Sequence, residues 1–553
     1  MLLRTFVTGL LLSAGAFAQM ASFPKPSYFR EVFKQTNTKV ELRDPVRLKD
    51  FAVGGKLELS LKNFIELVMA NNTDIQVAFL SLEIPKNNIV SVFGRWDPIV
   101  TASFSAQRNT NIPTDPTQAQ NAGEISKSLS QPLSVSYAQT IDTGLSYSVS
   151  FSGIKSSSSN SLSSYNPGLS SSLQFSATQP LLQNRGRYVN RIPVMQAESI
   201  YKRSVYGLQV SLLNLVSTAE NDYWNVISAR ENLRVQEKSR DAAKANLDFV
   251  QQQLDLGAIA ELDIYNPQGQ LAAAEFSVSQ AKFRLATAED TLRRQISADL
   301  DPEIAKLPVE LTEPVDLAAG QPVPLDTAQS VQKALAANPN VLSAMQQLDL
   351  DELGIQSAQN LLLPQLSFTA TYTTKGQGGV FYPSSTTLFG SSGGGGVIEP
   401  IPGGVSDALG QMFGFGYPTY LGRLTLTLPI KSRTASMNMA NSLVTKKTDA
   451  LTLRTTQQNV RLQTLTSVVN LQGYVEQLKL ARVQREIQQK NYEAEQEKYT
   501  LGTDTNQNVV IALQNLVLAE SNVVSAQVSV RTGILAVYQS TGELLDNYGI
   551  VVK

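Results

Sequence analysis

The chain has 553 residues, and its 46 Lys plus Arg nearly cancel its 47 Asp plus Glu. That length suits about two to four ordinary domains, and a balanced charge with no basic stripe argues against nucleic acid as a partner. Cys and His are both absent, so disulfides, thiolate nucleophiles, zinc sites, Ser-His-Asp triads and a cysteine-borne lipid anchor drop out together. No metal or cofactor site is expected.

Residues 1–18 carry Arg4, an apolar run from Phe6 to Leu12, and Ala16-Phe17-Ala18 as a small-x-small cleavage site. This pattern predicts a secretory signal peptide; a membrane-spanning helix needs ~20 apolar residues. No other stretch is expected to reach the length of a helical span. An exported chain of that kind is either soluble or a β-barrel, because only helices and closed barrels satisfy every backbone group in lipid.

Residues 19–56, with Pro24, Pro26 and Pro45, read as an extended periplasmic lead-in. Leu57 to Leu82 is expected as a helix, with Leu59, Phe64, Leu67 and Val68 on one face and Ala70-Asn71-Asn72 in its middle. One fixed shift lays Leu59 on Leu325, Ala70 on Ala336, Asn72 on Asn338, Ala78 on Ala344 and Pro98 on Pro364. The chain is therefore internally duplicated: a first repeat over 57–300, a Pro-rich linker over 301–324, a second repeat over 325–544 and a tail over 545–553.

After Pro98 and Pro364 the apolar period changes to two. Val100, Ala102, Phe104 and Ala106 alternate with polar residues, as do Leu366, Phe368, Ala370 and Tyr372. A proline is tolerated at a strand start because no ladder N–H is needed there. The return strands alternate likewise, through Leu169, Leu173, Phe175 and Ala177, then Leu424, Leu426 and Leu428. Barrel strands are thus expected over 98–180 and 364–430. About ten alternating residues fit an outer-membrane strand, and a soluble sandwich would show the same. Over 132–152, Leu133-Val135-Tyr137 and Leu145-Tyr147-Val149-Phe151 flank Asp142-Thr143-Gly144 as an extra hairpin. Its place in or above the barrel is left open. Segments 156–160 and 375–418 read as exposed Ser/Gly-rich loops. Gly393 to Gly396 is no phosphate loop, since no Gly-Lys-Ser/Thr follows.

Two long helical hairpins are expected, over 191–298 with a tip at 255–258 and over 434–541 with a tip at 500–503. A constant shift matches Leu256 to Leu501, Gly257 to Gly502, Glu275 to Glu520 and Ala281 to Ala526. Glycine just past a helix end is a common helix stop. Ile192 to Leu254 is expected as one helix unbroken by proline, of ~90–100 Å. Such a helix must lie along others: Val205, Leu208, Leu212, Leu215 and Ala219 keep three-four spacing, as do Val468, Leu471, Val475 and Leu478. Asp222, Gln236 and Arg240 interrupt the stripe, which suits a wall with a wet inner side.

The Leu59-Ser60-Leu61…Ala70-Asn71-Asn72 helix with its repeat, the segment Thr178-Gln179-Pro180-Leu181-Leu182 and the paired Leu-Gly turns together resemble the TolC family of outer-membrane efflux ducts. The resemblance covers about 57–544. It implies a homotrimer with one β-barrel of at least twelve strands in outer-membrane lipid and one α-helical barrel in the periplasm. It further implies partners, a periplasmic adaptor protein and an inner-membrane pump, with Leu256, Gly257, Leu501 and Gly502 as adaptor-contact tips. Tyr499 matches the family's gate tyrosine and Asp263 its first-repeat gating aspartate. The second repeat departs from the pattern: Asn508 and Ile511 stand where constriction carboxylates belong, and Asp504 holds the basic gate position. A cation-binding ring there is not carried over.

The reading that results is a mixed α and β membrane protein, a passive exit duct and no enzyme. The alternative is a non-transporting, envelope-spanning coiled-coil strut. Carboxylate hydrolysis has little support, because the densest acidic cluster, Asp349, Asp351 and Glu352, reads as the solvated side of a helix.

Overall fold

The structure, a computed structural model, describes residues 48–53, 55–112, 126–159, 164–257, 260–298, 302–316, 326–383 and 399–551. The expected signal peptide, most of the lead-in, Ala258 and Gly393 to Gly396 lie outside these residues. The described residues all belong to one compact unit, Val46–Lys553.

A small sheet comes first. Strand β1 (Ala52–Val53) pairs antiparallel with β2 (Lys56–Leu59), and β2 pairs in parallel with β8 (Val309–Leu311), which comes from the linker. The expectation of a helix from Leu57 is corrected here: Leu57 and Leu59 are buried and alternate with exposed neighbours, the period of a strand. The helix begins one residue after Ser60, whose hydroxyl accepts from the Asn63 N–H and caps it. Two helices stand in place of the single one expected, α1 (Leu61–Asn71) and α2 (Thr73–Leu80), and a third, α3 (Glu83–Phe93), follows them.

The large sheet is antiparallel throughout. Its strands are β3 (Ile99–Phe104), β4 (Gln107–Asn111), β5 (Ser126–Thr140), β6 (Ser146–Ser158), β7 (Tyr165–Pro180), β9 (Gln365–Phe381) and β10 (Pro418–Thr427), in the order β10-β9-β7-β6-β5-β3, with β4 also on β5. Strands β3 and β4 share one register against β5: Phe104 faces Leu133 and Gln107 faces Ser130. The gap between them lies opposite Pro132, which has no N–H to give the ladder. They are one edge strand with a missing rung. The extra hairpin, left open by the sequence, is β5 and the start of β6, and both are interior strands of the wall.

Two helices carry the length: α4 (Arg187–Asp255, 69 residues) and α9 (Arg433–Thr500, 68 residues), each ~100 Å at 1.5 Å per residue. Pro193 lies inside α4, contrary to the expected proline-free helix. It is the seventh residue of the helix, just past the four whose N–H groups have no intrahelical partner, so one bond, to the Val189 carbonyl, is given up near the start. The return legs are shorter, α5 (Tyr265–Gln295) and α10 (Asn506–Thr541). Each is extended by a helix from earlier in its own repeat. The Asn72 amide donates to the Gln295 carbonyl at 3.0 Å, ending α5, while its oxygen accepts from the Asp74 and Ile75 N–H groups that start α2. The second repeat does the same. Between α6 (Thr327–Ala337) and α7 (Pro339–Leu361), Asn338 donates to the Ser540 carbonyl at 2.9 Å and accepts from the Asn340 N–H.

The core sits at the waist, where α1 and α2 meet α4. Phe64, Tyr223 and Trp224 are fully or almost fully buried there with Leu57, Leu59, Leu212 and Leu535. Each such side chain contributes roughly 1.5–3 kcal/mol by leaving water. The Tyr223 hydroxyl donates to the Leu59 carbonyl at 3.1 Å and ties the small sheet to α4. The chain end closes the waist: in α11 (Leu544–Asn547) Leu544 and Leu545 join the core, and the Tyr548 hydroxyl donates to buried Glu220 at 2.7 Å. One helix, α10, is long and apolar enough by composition to cross a membrane, contrary to the expectation of no further stretch of that length. Its buried residues instead face α9 and the waist, Val530 and Val537 packing with Val468, Leu471 and Leu478.

Candidate functional site

Both hairpin tips have the same backbone. Leu256 and Leu501 end their helices with φ −82°, and Gly257 and Gly502 follow with φ +72° and +71°. A side chain at either glycine would be strained by that positive φ, although no neighbour crowds the position. At the second tip the Gly502 N–H donates to the Tyr499 carbonyl and the Thr503 N–H to the Lys498 carbonyl, the two bonds of a Schellman cap. The two leucines are left 84% and 71% exposed at the extremity of their hairpins.

Just behind the tips the two hairpins touch. The Tyr499 hydroxyl donates to Gln253 Oε1 at 3.0 Å, and its ring meets Phe249 edge-on at 5.7 Å. Asn266 and Gln507 are hydrogen-bonded across the same seam. Burial, and then the charge of Asp263, push the Tyr499 phenol above its ordinary pKa, so it stays a neutral donor. Asp263 is close enough to act by charge, and its carboxylate accepts from the Ala260 N–H at 3.3 Å, closing the turn Glu261–Ile264 before α5. Asp504 accepts from the Thr505 N–H at 2.7 Å and from the Asn508 amide at 2.6 Å. A hydrogen bond with Glu495, followed by those from Thr505 and Asn508, holds its carboxyl below the usual range. Gln253, Phe249, Asn266 and Gln507 carry no mark in the sequence beyond proximity to the turns.

The acidic cluster on α7 is not a solvated face. Asp349 is exposed and Glu352 is paired with Lys446, but Asp351 is only 8% exposed. The Gln347 amide donates to both Asp351 (3.1 Å) and Asp449 of α9 (3.2 Å). Burial first, and then the Asp449 charge, raise the Asp351 carboxyl above its ordinary pKa. The helical period cannot show this, because the face turned from solvent is set by α9.

The large sheet has one apolar and one polar face. Residues paired in register share a face, so Val100, Val135, Tyr137, Val149, Phe151, Leu173, Phe175, Phe368, Tyr372, Leu424 and Leu426 lie together. On the other face Ser and Thr dominate and bond across strands: Ser103 with Ser134, Ser152 with Ser172 and Thr178 with Thr369. Helix α8 (Val405–Phe413) packs against β9, seated by Gly376. A Cβ there would come within 1.8 Å of the Ala408 carbonyl oxygen.

A wall wetted on one side only, carried on helices of this length, is the protomer architecture of an outer-membrane channel. The chain belongs to the outer membrane efflux protein family, whose profile matches residues 140–297 and 330–543. That places it in the outer membrane, with a periplasmic extension. It is 28% identical over 163 residues to outer membrane protein TolC of Escherichia coli K12, an alignment covering 30% of this chain and 31% of that relative. Solved structures are similar over far more of the length. The CmeC outer membrane channel of Campylobacter jejuni superposes with a TM-score of 0.62 at 17% identity, over 92% of this chain and 90% of that one. VceC of Vibrio cholerae gives 0.60 at 11% identity, over 87% and 96%. CusC gives 0.59 at 14%, over 88% and 92%. Likeness at such identities shows the fold.

Proposed function

We propose that three copies of this chain form a passive exit duct, opened at its periplasmic tips by an adaptor and driven by an inner-membrane pump. The observation that carries the proposal is the wall with two open edges. Among the described residues strands β3 and β10 each have one neighbour, and unpaired N–H and C=O groups in lipid cost several kcal/mol each. Pairing β3 of one copy with β10 of the next satisfies both edges and closes a barrel. With six strand positions per copy the barrel has eighteen strands, beyond the minimum of twelve. The helices support the same assembly: Phe276 and Phe283 on α5, and Leu462, Leu480 and Ile487 on α9, are exposed along the hairpins and suit neighbouring copies.

The gate is a population shift between closed and splayed tips. Tyr499 and Gln253, with Asp263 alongside, hold the second hairpin against the first. Asp504 and Asn508 brace the second turn. An adaptor gripping Leu256, Gly257, Leu501 and Gly502 would favour the splayed form.

The test is single-channel conductance of the purified protein in planar bilayers, with its mass in detergent. Trimers that conduct are expected. Tyr499→Phe or Gln253→Ala removes one hydrogen bond of ~1 kcal/mol and should raise the open fraction about fivefold. Monomers without conductance would overturn the duct. A conducting trimer unmoved by either variant would remove the Tyr499–Gln253 bond from the gate.

A further inference from the structure

The apolar face of the wall stops short at the end farthest from the helices. Along β6 it runs Tyr147, Val149, Phe151 and Gly153, then meets Lys155; along β5 it runs Tyr137, Val135 and Leu133, then Gln131, Leu129 and Lys127. On β4 the residue in register with Leu129 is Arg108. At ~3.4 Å per residue, Tyr147 to Gly153 spans about 20 Å, close to the ~25 Å apolar band of an outer-membrane barrel. The three cations therefore begin where the hydrocarbon ends. They share the face that meets lipid, not the face that meets the lumen.

These cations form a group. Arg108 and Lys127 sit on adjacent strands two residues out of step, which puts them ~7–8 Å apart. Lys155 lies on the next strand. All three side chains are exposed, and among the described residues none is in an ion pair. Arg108 and Lys127 border a recess of about 330 Å³ with Leu129, Ser157 and Ser159. The other half of the same rim is built differently. Lys155 is level with Leu169, and Leu169 with Gly378, beside which α8 begins. From there α8 runs back down the apolar band, Met412 meeting Thr374 and Phe415 meeting Tyr372, and Phe413, Phe415 and Tyr417 are exposed at that lower level.

We propose that Arg108, Lys127 and Lys155 form a binding site for the phosphorylated headgroups of outer-leaflet lipid. A cation on a lipid-facing wall is costly below the headgroup level and repaid at it, by about fivefold in affinity for each Lys or Arg against an anionic surface. Three cations without carboxylate partners among the described residues, at the upper limit of an apolar band, suit phosphate monoesters held above acyl chains. The site rests on the barrel reading of the wall, since that reading turns the apolar face outward.

The test compares the detergent-purified protein with its Arg108→Gln, Lys127→Gln, Lys155→Gln triple variant. Three probes are titrated: diphosphorylated lipid A, the same lipid with its phosphates removed, and inorganic phosphate. The variant should bind diphosphorylated lipid A about tenfold or more weakly than wild type. Wild type should prefer the phosphorylated lipid, and inorganic phosphate should fail to displace it. Arg423→Gln, which removes a cation from the opposite face, should bind as wild type. Equal binding by the triple variant, indifference to the lipid phosphates, or full displacement by inorganic phosphate would each overturn the site. Conductance of the same preparations separates the two proposals: a wild type that does not conduct tells against the duct, whereas a conducting triple variant with undiminished lipid binding tells against the headgroup site alone.

Discussion

Asp351 shows how far a single side chain departs from its sequence context. Its neighbours on α7 are charged and hydrated, yet it faces Asp449, Gln347 and, next to them, Lys446 and Arg203 across the interface with α9 and α4. A carboxyl whose folded pKa is raised adds stability below its unfolded pKa. It loses that stability as pH rises through the folded pKa. Asp351→Asn keeps the neutral form at every pH and offers Asp449 a donor. The variant should therefore melt roughly 1–3 °C above wild type at pH 8, with the gain shrinking toward pH 4. Differential scanning calorimetry at both pH values checks this, and a variant that melts lower at pH 8 would contradict it. At the tips, Tyr499 is legible in the sequence as a residue near a turn. Its actual acceptor, Gln253, is not, because that pairing joins two hairpins far apart in sequence.

Among the elements, the end-to-end splice made by Asn72 and Asn338 explains a repeat that is visible in the sequence but easily misread. The two asparagines fall on one another under the fixed shift, and by helical period alone each looks like a mid-helix residue. An amide is required because it donates to one helix end and accepts from the next start. Alanine at Asn338 loses a cap and a buried hydrogen bond, each ~1 kcal/mol, so Asn338→Ala should cost about 2 kcal/mol in denaturant unfolding. Asn338→Asp keeps the acceptor and loses the donor to Ser540, and it should lie between the two. Equal stability of the aspartate variant and wild type would show that the donor contributes nothing. Strand existence is well marked by period-two patterning and by Pro98 and Pro364. Where the first helix begins is not, since Leu57 and Leu59 satisfy either period until β8 is seen beside them.

For the whole molecule, the duplication, the two hairpins and the alternating strands are all written in the sequence, and together they are enough for the fold class. The number of strands in the wall is not, because a hairpin's own residues do not say whether its edges find partners. Here β5 and β6 pair on both sides. The closure between copies can be tested directly, since the chain has no cysteine of its own. Thr101→Cys on β3, combined in turn with Thr419→Cys, Leu421→Cys or Arg423→Cys on β10, should give covalent dimers and trimers on oxidation for at least one pair. Cα separations of roughly 4.4–6.8 Å allow a disulfide. Monomer alone from every pair would leave the edges unjoined.

The hydroxyl-rich side of the wall has a consequence for whatever travels along it. Ser103 and Ser134, Ser152 and Ser172, and Thr178 and Thr369 spend hydrogen-bonding capacity on one another, and fixed charge on that side is sparse among the described residues, with Arg423 one of the few. In each pair one hydroxyl donates and the other keeps its own O–H, so a solute sliding past finds only weak, neutral partners and little field to hold or repel it. The surface behaves as a low-friction lining, so the choice of cargo has to be made elsewhere, before the solute arrives.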